Sequence, residues 1–79
     1  MDKKNSGVGV LDKSVRILAT LEAGPHSLSE LVIATGIARP TAHRLAVALE
    51  FHRLVTRDLM GRFVLGARAA ELALSLIHI

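Results

Sequence analysis

Apolar residues recur at intervals of three and four in the N-terminal part of the chain, which is the spacing of one face of an α-helix. The residues on this stripe are Leu11, Val15 and Leu18, with either Leu21 or Ala19 as the fourth. The stripe ends before Gly24 and Pro25, and neither of these residues continues a helix comfortably. The pattern therefore predicts a first helix over residues 11–23.

The next segment carries the signature of a helix start. In residues 27–30 (SLSE), the Ser27 hydroxyl can accept a hydrogen bond from the Glu30 amide, while the Glu30 carboxylate accepts one from the Ser27 N–H. This capping box predicts a short second helix that ends at Gly36, where a left-handed residue costs little. The side chains expected to face inward are Leu28, Leu31 and Val32.

A third helix is predicted over residues 39–51, with Pro40 in its first turn. Because so short a turn joins it to the second helix, the pair forms a helix-turn-helix. One side of the third helix is apolar and consists of Ala42, Leu45, Ala46 and Leu49. The opposite side and the exposed first turn carry Pro40, His43, Arg44, Val47, Arg39 and Thr41. A helix with small and basic outward residues near its start is suited to the major groove of DNA.

Two short runs of strand-forming residues follow at 54–57 and 62–65. The segment between them contains Gly61, which can adopt a positive φ in a tight turn. The pattern predicts a β-hairpin, or wing, with Arg57 and Arg62 on the two sides of its turn.

A last helix, rich in alanine and leucine, is predicted from Ala67 to about residue 74. The fold class is therefore mainly α with a small β-hairpin, a winged helix-turn-helix. We assign this domain to residues 9–66, with a flexible arm at residues 1–8 and the start of a linker helix at residues 67–79.

The composition excludes several classes of protein. A chain of 79 residues is long enough for one small domain. Its hydrophobic fraction of 51% is too high for a disordered tail. Cysteine is absent, which removes disulfides and thiolate zinc sites. The first ten residues lack the apolar core of a signal peptide, and residues 69–79 fall short of the ~20 that span a bilayer. We expect a cytoplasmic protein without a membrane segment.

The net charge of +3 is confined to residues 39–62, because the flanking segments each sum to zero. In this segment five arginines face only Glu50 and Asp58. The planar guanidinium suits phosphate oxygens and guanine edges. The distribution of charge therefore indicates double-stranded DNA as a partner.

Several motifs resemble, in order and spacing, the IclR-type DNA-binding domain of bacterial transcription regulators. They are residues 10–18 (VLDKSVRIL), 27–31 (SLSEL), 35–45 (TGIARPTAHRL), 54–58 (LVTRD) and 61–66 (GRFVLG). The resemblance covers about residues 8–73. It implies operator binding by dimers or tetramers and a larger C-terminal domain that senses a small-molecule effector. Nothing in this chain resembles that second domain.

The chain departs from the family pattern at two places. Arg53 stands where the family generally has glycine, and a left-handed arginine would cost about 1 kcal/mol. We interpret this departure as a slightly different helix ending rather than an added phosphate contact. Residues 74–79 lack the charges of the family's linker helix. We therefore expect a truncated chain whose tail is not native.

The expected DNA contacts on the third helix lie in its first two turns. Arg39 is expected at a phosphate or base, Thr41 at a phosphate or thymine methyl group, and Arg44 at a guanine edge. His43 is expected at a base edge or phosphate, whereas Pro40 is expected to set the geometry or touch the DNA backbone. The alternatives are a solvated Arg39 and an Arg44 that pairs with Glu50.

Arg57 and Arg62 are expected to reach the sugar-phosphate backbone or the minor groove from the wing. The alternative is that either of them pairs with Asp58 instead.

An enzyme is not expected. The histidines lack metal-ligand spacing, and residues 7–9 (GVG) lack the third glycine of a dinucleotide loop, so we expect neither metal nor cofactor. The competing hypothesis is a protein-interaction or dimerisation module without DNA binding, because the apolar last helix requires a partner to cover it. Both hypotheses hold together if the first and last helices form a homodimer that binds DNA.

Overall fold

The structure, a computed structural model, describes the backbone of residues 9–77 and the side chains of residues 9–72. The elements are α1 (Gly9–Leu21), α2 (Leu28–Thr35), α3 (Arg39–Phe51), β1 (Val55–Arg57), β2 (Phe63–Leu65) and α4 (Ala67–Ile77). Their order confirms a mainly α fold with one hairpin, a winged helix-turn-helix. The predicted arm at residues 1–8 and the last two residues of the predicted tail lie outside the described residues.

Helix α1 buries a different face from the one predicted. Leu11 and Val15 are each 54% exposed, whereas Ile17 and Leu21 are buried. The predicted stripe was therefore wrong in its first half, because the part of α1 that packs into the core is its C-terminal half, with Ile17, Leu18 and Leu21. The helix also begins and ends two residues earlier than the predicted span of 11–23.

The predicted capping box is present at the start of α2. The Ser27 N–H donates to Glu30 Oε1 at 2.7 Å, and the Glu30 N–H donates to Ser27 Oγ at 3.1 Å. The bond from the Ser27 backbone N–H to the carboxylate, followed by a bond from the Ser27 side chain, lowers the pKa of Glu30. At the other end, Gly36 adopts a φ of 74° and its N–H donates to Val32 O, as the sequence predicts.

The turn between α2 and α3 is held by side chains as well as by its glycine. Thr35 Oγ1 donates to Leu31 O at 2.6 Å and accepts from the Ile37 N–H at 3.2 Å. From α1, Arg16 donates to Thr35 O at 3.2 Å, which satisfies a carbonyl at the end of α2. Ile37 is buried in the core. Together these contacts hold α3 in a fixed position against α2.

Helix α3 has the predicted bounds and the predicted inner face. Ala42, Ala46 and Leu49 are buried, and Leu45 packs against the core. Small alanines at two of these positions let α3 lie close to α1 and α2. The opposite face remains free to contact other molecules.

Helix α3 ends in a hydrogen-bonding pattern that usually requires glycine. Arg53 has a φ of 63°, its N–H donates to Glu50 O, and the Leu54 N–H donates to Leu49 O, both at 3.0 Å. This is the Schellman arrangement. The interpretation of Arg53 as a different helix ending was therefore wrong, since the arginine adopts the glycine-type conformation itself.

The wing is a two-stranded antiparallel sheet in which Val55 pairs with Leu65 and Arg57 with Phe63. Val55 and Phe63 are buried and attach the wing to the core. On the other side of β2, the His26 N–H donates to Phe63 O at 3.0 Å, and the Phe63 N–H donates to His26 O at 2.8 Å. This bridge, which the sequence analysis did not predict, ties the segment before α2 to the wing.

Gly66 joins the wing to α4 under a steric constraint. Its N–H donates to Leu54 O at 2.9 Å, and a Cβ at this position would overlap the carbonyl oxygen of Arg53. Helix α4 then extends to Ile77, three residues beyond the predicted end. Within residues 9–77, no helix is both long enough and apolar enough to cross a membrane.

Candidate nucleic-acid interface

The exposed face of α3 carries the residues predicted to contact DNA. Pro40, His43 and Arg44 are exposed, and Thr41 is half-buried. The core-facing alanines lie on the other side of the helix, so these side chains are presented outward by a rigid support. The predicted side chains of the first two turns of α3 therefore lie on one continuous surface.

Arg44 has no hydrogen bond or ion pair from its side chain within the described residues. The alternative partner considered from the sequence was Glu50, but that carboxylate is bound by Arg57 at 3.2 Å. The Arg44 guanidinium therefore keeps all its donors available to a ligand.

Arg39 is partly committed within the domain. Its Nη2 donates to the hydroxyl of Ser29, in the first turn of α2, at 2.5 Å. The remaining donors of its guanidinium can still reach a phosphate. Ser29 was not identified from the sequence, because nothing local links residues ten positions apart on different helices.

Both wing arginines have partners within the domain. Arg57 forms its ion pair with Glu50 across the junction of α3 and β1. Its guanidinium also lies over the ring of Phe63, 4.7 Å from the centroid. The pairing of Arg57 with Asp58, considered from the sequence, is not formed.

Arg62 pairs with Asp58, which was the alternative to a DNA contact considered from the sequence. Nη2 and Nε of Arg62 both lie 2.9 Å from Asp58 Oδ2. Asp58 Oδ1 accepts from the backbone N–H groups of Met60 and Arg62 at 3.0 and 2.9 Å. The backbone hydrogen bond from Arg62, followed by the bond from its side chain, holds the pKa of Asp58 below its ordinary value.

A second surface is apolar. Helices α1 and α4 and the end of β2 line an open, mainly apolar groove that also includes Glu22; its apolar side chains are Val15, Leu18, Ala19, Leu65, Ala69 and Ala70. Leu11 and Leu72 lie exposed on the same two helices. The side chains of residues 73–79 lie outside the described residues.

No group of three or more histidine and carboxylate side chains within the described residues could hold a metal ion. The candidate interface presents guanidinium, imidazole and hydroxyl groups, which suit phosphate oxygens and base edges.

A helix-turn-helix with an outward basic helix and a wing defines the class of winged DNA-binding domains. The sequence matches the family model of the IclR helix-turn-helix domain over residues 10–59. The chain belongs to this family, which is a class of DNA-binding domain of transcription regulators and not a class of enzyme.

Solved structures agree with this assignment. Pseudomonas aeruginosa HmgR is similar with a TM-score of 0.79 and 25% identity, over 86% of this chain and 29% of that chain. An IclR homologue from Microbacterium sp. strain HM58-2 is similar with a TM-score of 0.77 and 28% identity, over 84% of this chain and 29% of that chain.

The Agrobacterium tumefaciens repressor BlcR shares the fold, with a TM-score of 0.78 and 22% identity over 90% of this chain and 29% of that chain. The chain thus spans less than a third of the length of these structures. A search of curated protein sequences found no match.

Proposed function

We propose that this domain binds operator DNA sequence-specifically, with α3 in the major groove and the wing on the sugar-phosphate backbone or in the minor groove. The observation that carries the proposal is Arg44. It is exposed and has no partner within the described residues, and it lies in the segment that holds the whole net charge. A free guanidinium on the outer face of such a helix can form a bidentate contact with guanine O6 and N7.

The other residues of α3 support this contact. Thr41 and His43 flank Arg44 and donate hydrogen bonds to base edges or phosphates. Arg39, held by Ser29, contacts a phosphate at the N-terminal end of the helix. Pro40 sets the geometry of the first turn, where its missing N–H costs no hydrogen bond.

The wing arginines contact DNA phosphates in place of the carboxylates with which they are now paired. Arg57 and Arg62 leave Glu50 and Asp58, or share their guanidinium donors between carboxylate and phosphate. Exposed ion pairs are worth about 0–1 kcal/mol, so this exchange costs little. These contacts supply affinity that depends on salt and hardly on sequence.

We further propose that the domain forms a homodimer through α1 and α4. The groove between these helices has a mainly apolar lining that also includes Glu22. Leu11 and Leu72 are further exposed apolar side chains on the same two helices. A second copy would bury this surface and place two α3 helices in successive major grooves. In this arrangement residues 9–66 form the DNA-binding unit and α4 begins a linker. A small-molecule effector would act through a C-terminal domain outside this chain, in a cytoplasmic regulator.

The test is binding across a salt series. Two labelled duplexes are compared, one selected from a random-sequence pool by the protein itself and one with the same bases scrambled. We expect tighter binding to the selected duplex and a steep loss of affinity for both as salt rises.

Two results would contradict the proposal. Equal affinity for both duplexes would remove sequence-specific binding. Absence of binding at low salt by a folded, dimeric protein would favour the interaction module that the apolar groove also suits.

A further inference from the structure

The tip of the wing exposes two consecutive apolar side chains. Leu59 and Met60 have relative exposures of 106% and 78%, among the highest of the large apolar residues in the described part of the chain. Burial of either side chain would be favourable, and nothing within the described residues covers them.

The backbone beneath these two side chains is rigid. The Gly61 N–H donates to Asp58 O at 3.0 Å, and the Asp58 N–H donates to Arg62 O at 2.9 Å. Gly61 takes the left-handed conformation with a φ of 81°. The Asp58 carboxylate accepts three further hydrogen bonds from Met60 and Arg62. Leu59 and Met60 therefore occupy the corner of a closed turn and lose little backbone entropy when they bind.

Charge around the tip favours an anionic partner. Residues 53–62 carry three arginines and one carboxylate. Arg62 pairs with Asp58 and Arg57 pairs with Glu50, so the exposed Arg53 supplies the positive charge that no carboxylate of the described residues offsets. An apolar tip on a basic hairpin matches the minor groove, where phosphates line both edges and the sugar and base edges between them are less polar. Proteins that enter this groove insert leucine and methionine side chains between base steps.

We propose that Leu59 and Met60 form an apolar wedge that enters the minor groove beside the α3 site and partly unstacks one base step. This inference rests on the DNA binding proposed above and adds a second source of specificity. Pyrimidine–purine steps are the easiest to unstack, so the wedge favours such a step without hydrogen bonds to its bases.

The test compares the variant Leu59→Ser/Met60→Ser and the single variant Leu59→Ser with the control Ile33→Ser. Ile33 is 82% exposed on α2, so the control removes a similar apolar side chain away from the wing. The bonds that hold the turn come from Asp58 and backbone groups, so the wing variants keep the fold, which circular dichroism verifies. Dissociation constants are measured on the selected duplex, and its bend is measured by fluorescence energy transfer between dyes at its two ends. Selection from the random-sequence pool is then repeated with each variant.

We expect the double variant to bind about tenfold more weakly, because apolar burial is lost, and to bend the duplex less. Repeated selection should lose the preference for a pyrimidine–purine step at the wing position, while Ile33→Ser behaves as the unchanged chain. Unchanged affinity and bend in the double variant would overturn the wedge while leaving the DNA-binding proposal intact. Unchanged DNA binding with a changed oligomeric state would assign the tip to a protein contact instead. Failure of the unchanged chain to bind any duplex would overturn both proposals.

Discussion

Helix α3 and the wing that follows it carry two arginines each among the expected DNA contacts, yet they present them differently. On α3, Arg44 has no partner within the described residues and Arg39 donates one hydrogen bond to a neutral hydroxyl. On the wing, Arg57 and Arg62 are both paired with carboxylates. The number of cations in a segment therefore does not measure how many are free to bind phosphate.

The difference predicts a division of labour between the two regions. A wing arginine must give up or share a carboxylate to contact DNA, so its net contribution is small. Arg44 gives up only water and can contribute the whole of a new bidentate contact. Among the arginines, specificity should therefore depend on Arg44 of α3, and the two wing arginines should adjust affinity uniformly across sequences.

The largest effect is expected from Arg44→Ala. The variant should bind the selected duplex more weakly by about 1–3 kcal/mol and the scrambled duplex almost unchanged. Arg68→Ala is the matched control, because it removes one exposed positive charge from α4. Equal losses for the two variants on the selected duplex, measured by fluorescence anisotropy, would show that Arg44 acts only through its charge.

Arg53, which lies between α3 and the wing, should lower the free energy of unfolding. Arg53→Gly should raise the free energy of unfolding by about 0.5–1 kcal/mol, because glycine adopts the positive φ without steric cost. Arg53→Ala keeps that cost and serves as the control in urea unfolding. A gain of the same size in both variants would place the cost in the arginine side chain rather than in the backbone.

Removing the carboxylates that pair with the wing arginines should make these arginines more like Arg44. Glu50→Gln and Asp58→Asn each free an arginine, so the slope of log affinity against log salt on the scrambled duplex should steepen by about one. The free energy of unfolding should change little in either variant, because exposed ion pairs contribute little to stability. Glu71→Gln makes the same charge change on α4. If it steepens the slope equally, overall charge and not the freed arginine is responsible.

The smallest effect is expected on the pH dependence of stability. The folded-state pKa of Asp58 lies below its ordinary value of 3.8, so its contribution to stability is present above that value and is lost as the pH falls through the folded pKa. Asp58→Asn should therefore lose less stability than the unchanged chain between neutral pH and pH values below 3.8. Glu30, whose pKa is also lowered, should account for part of the remaining loss. Parallel losses in the two proteins would remove Asp58 as a source of the dependence.

Local chemistry made part of this fold predictable. The capping box of Ser27 and Glu30, the end of α2 at Gly36 and the bounds of α3 all depend on residues within one or two helical turns. The exposed face of α3 could be predicted for the same reason, because the repeat of inward and outward positions every ~3.6 residues is a property of the helix alone.

Contacts between distant elements could not be predicted in this way. The bridge of His26 to Phe63 and the hydrogen bond of Arg39 to Ser29 join elements whose separation is set only by the folded core. The exposure of Leu11 depends on which part of α1 packs into the core, and this is set by the other elements of the fold. Arg53 was misjudged because its conformation follows from the hydrogen bonds that end α3 and start the wing, which outweigh its own preference.

The most direct test of the account is a titration of the nitrogen-15-labelled chain with the selected duplex, followed by NMR through the backbone amide shifts. The account predicts the largest changes at Thr41, His43 and Arg44, with smaller ones at residues 58–62 of the wing. Changes confined to α1 and α4, with the amides of α3 unmoved, would contradict it and identify the apolar groove as the binding surface.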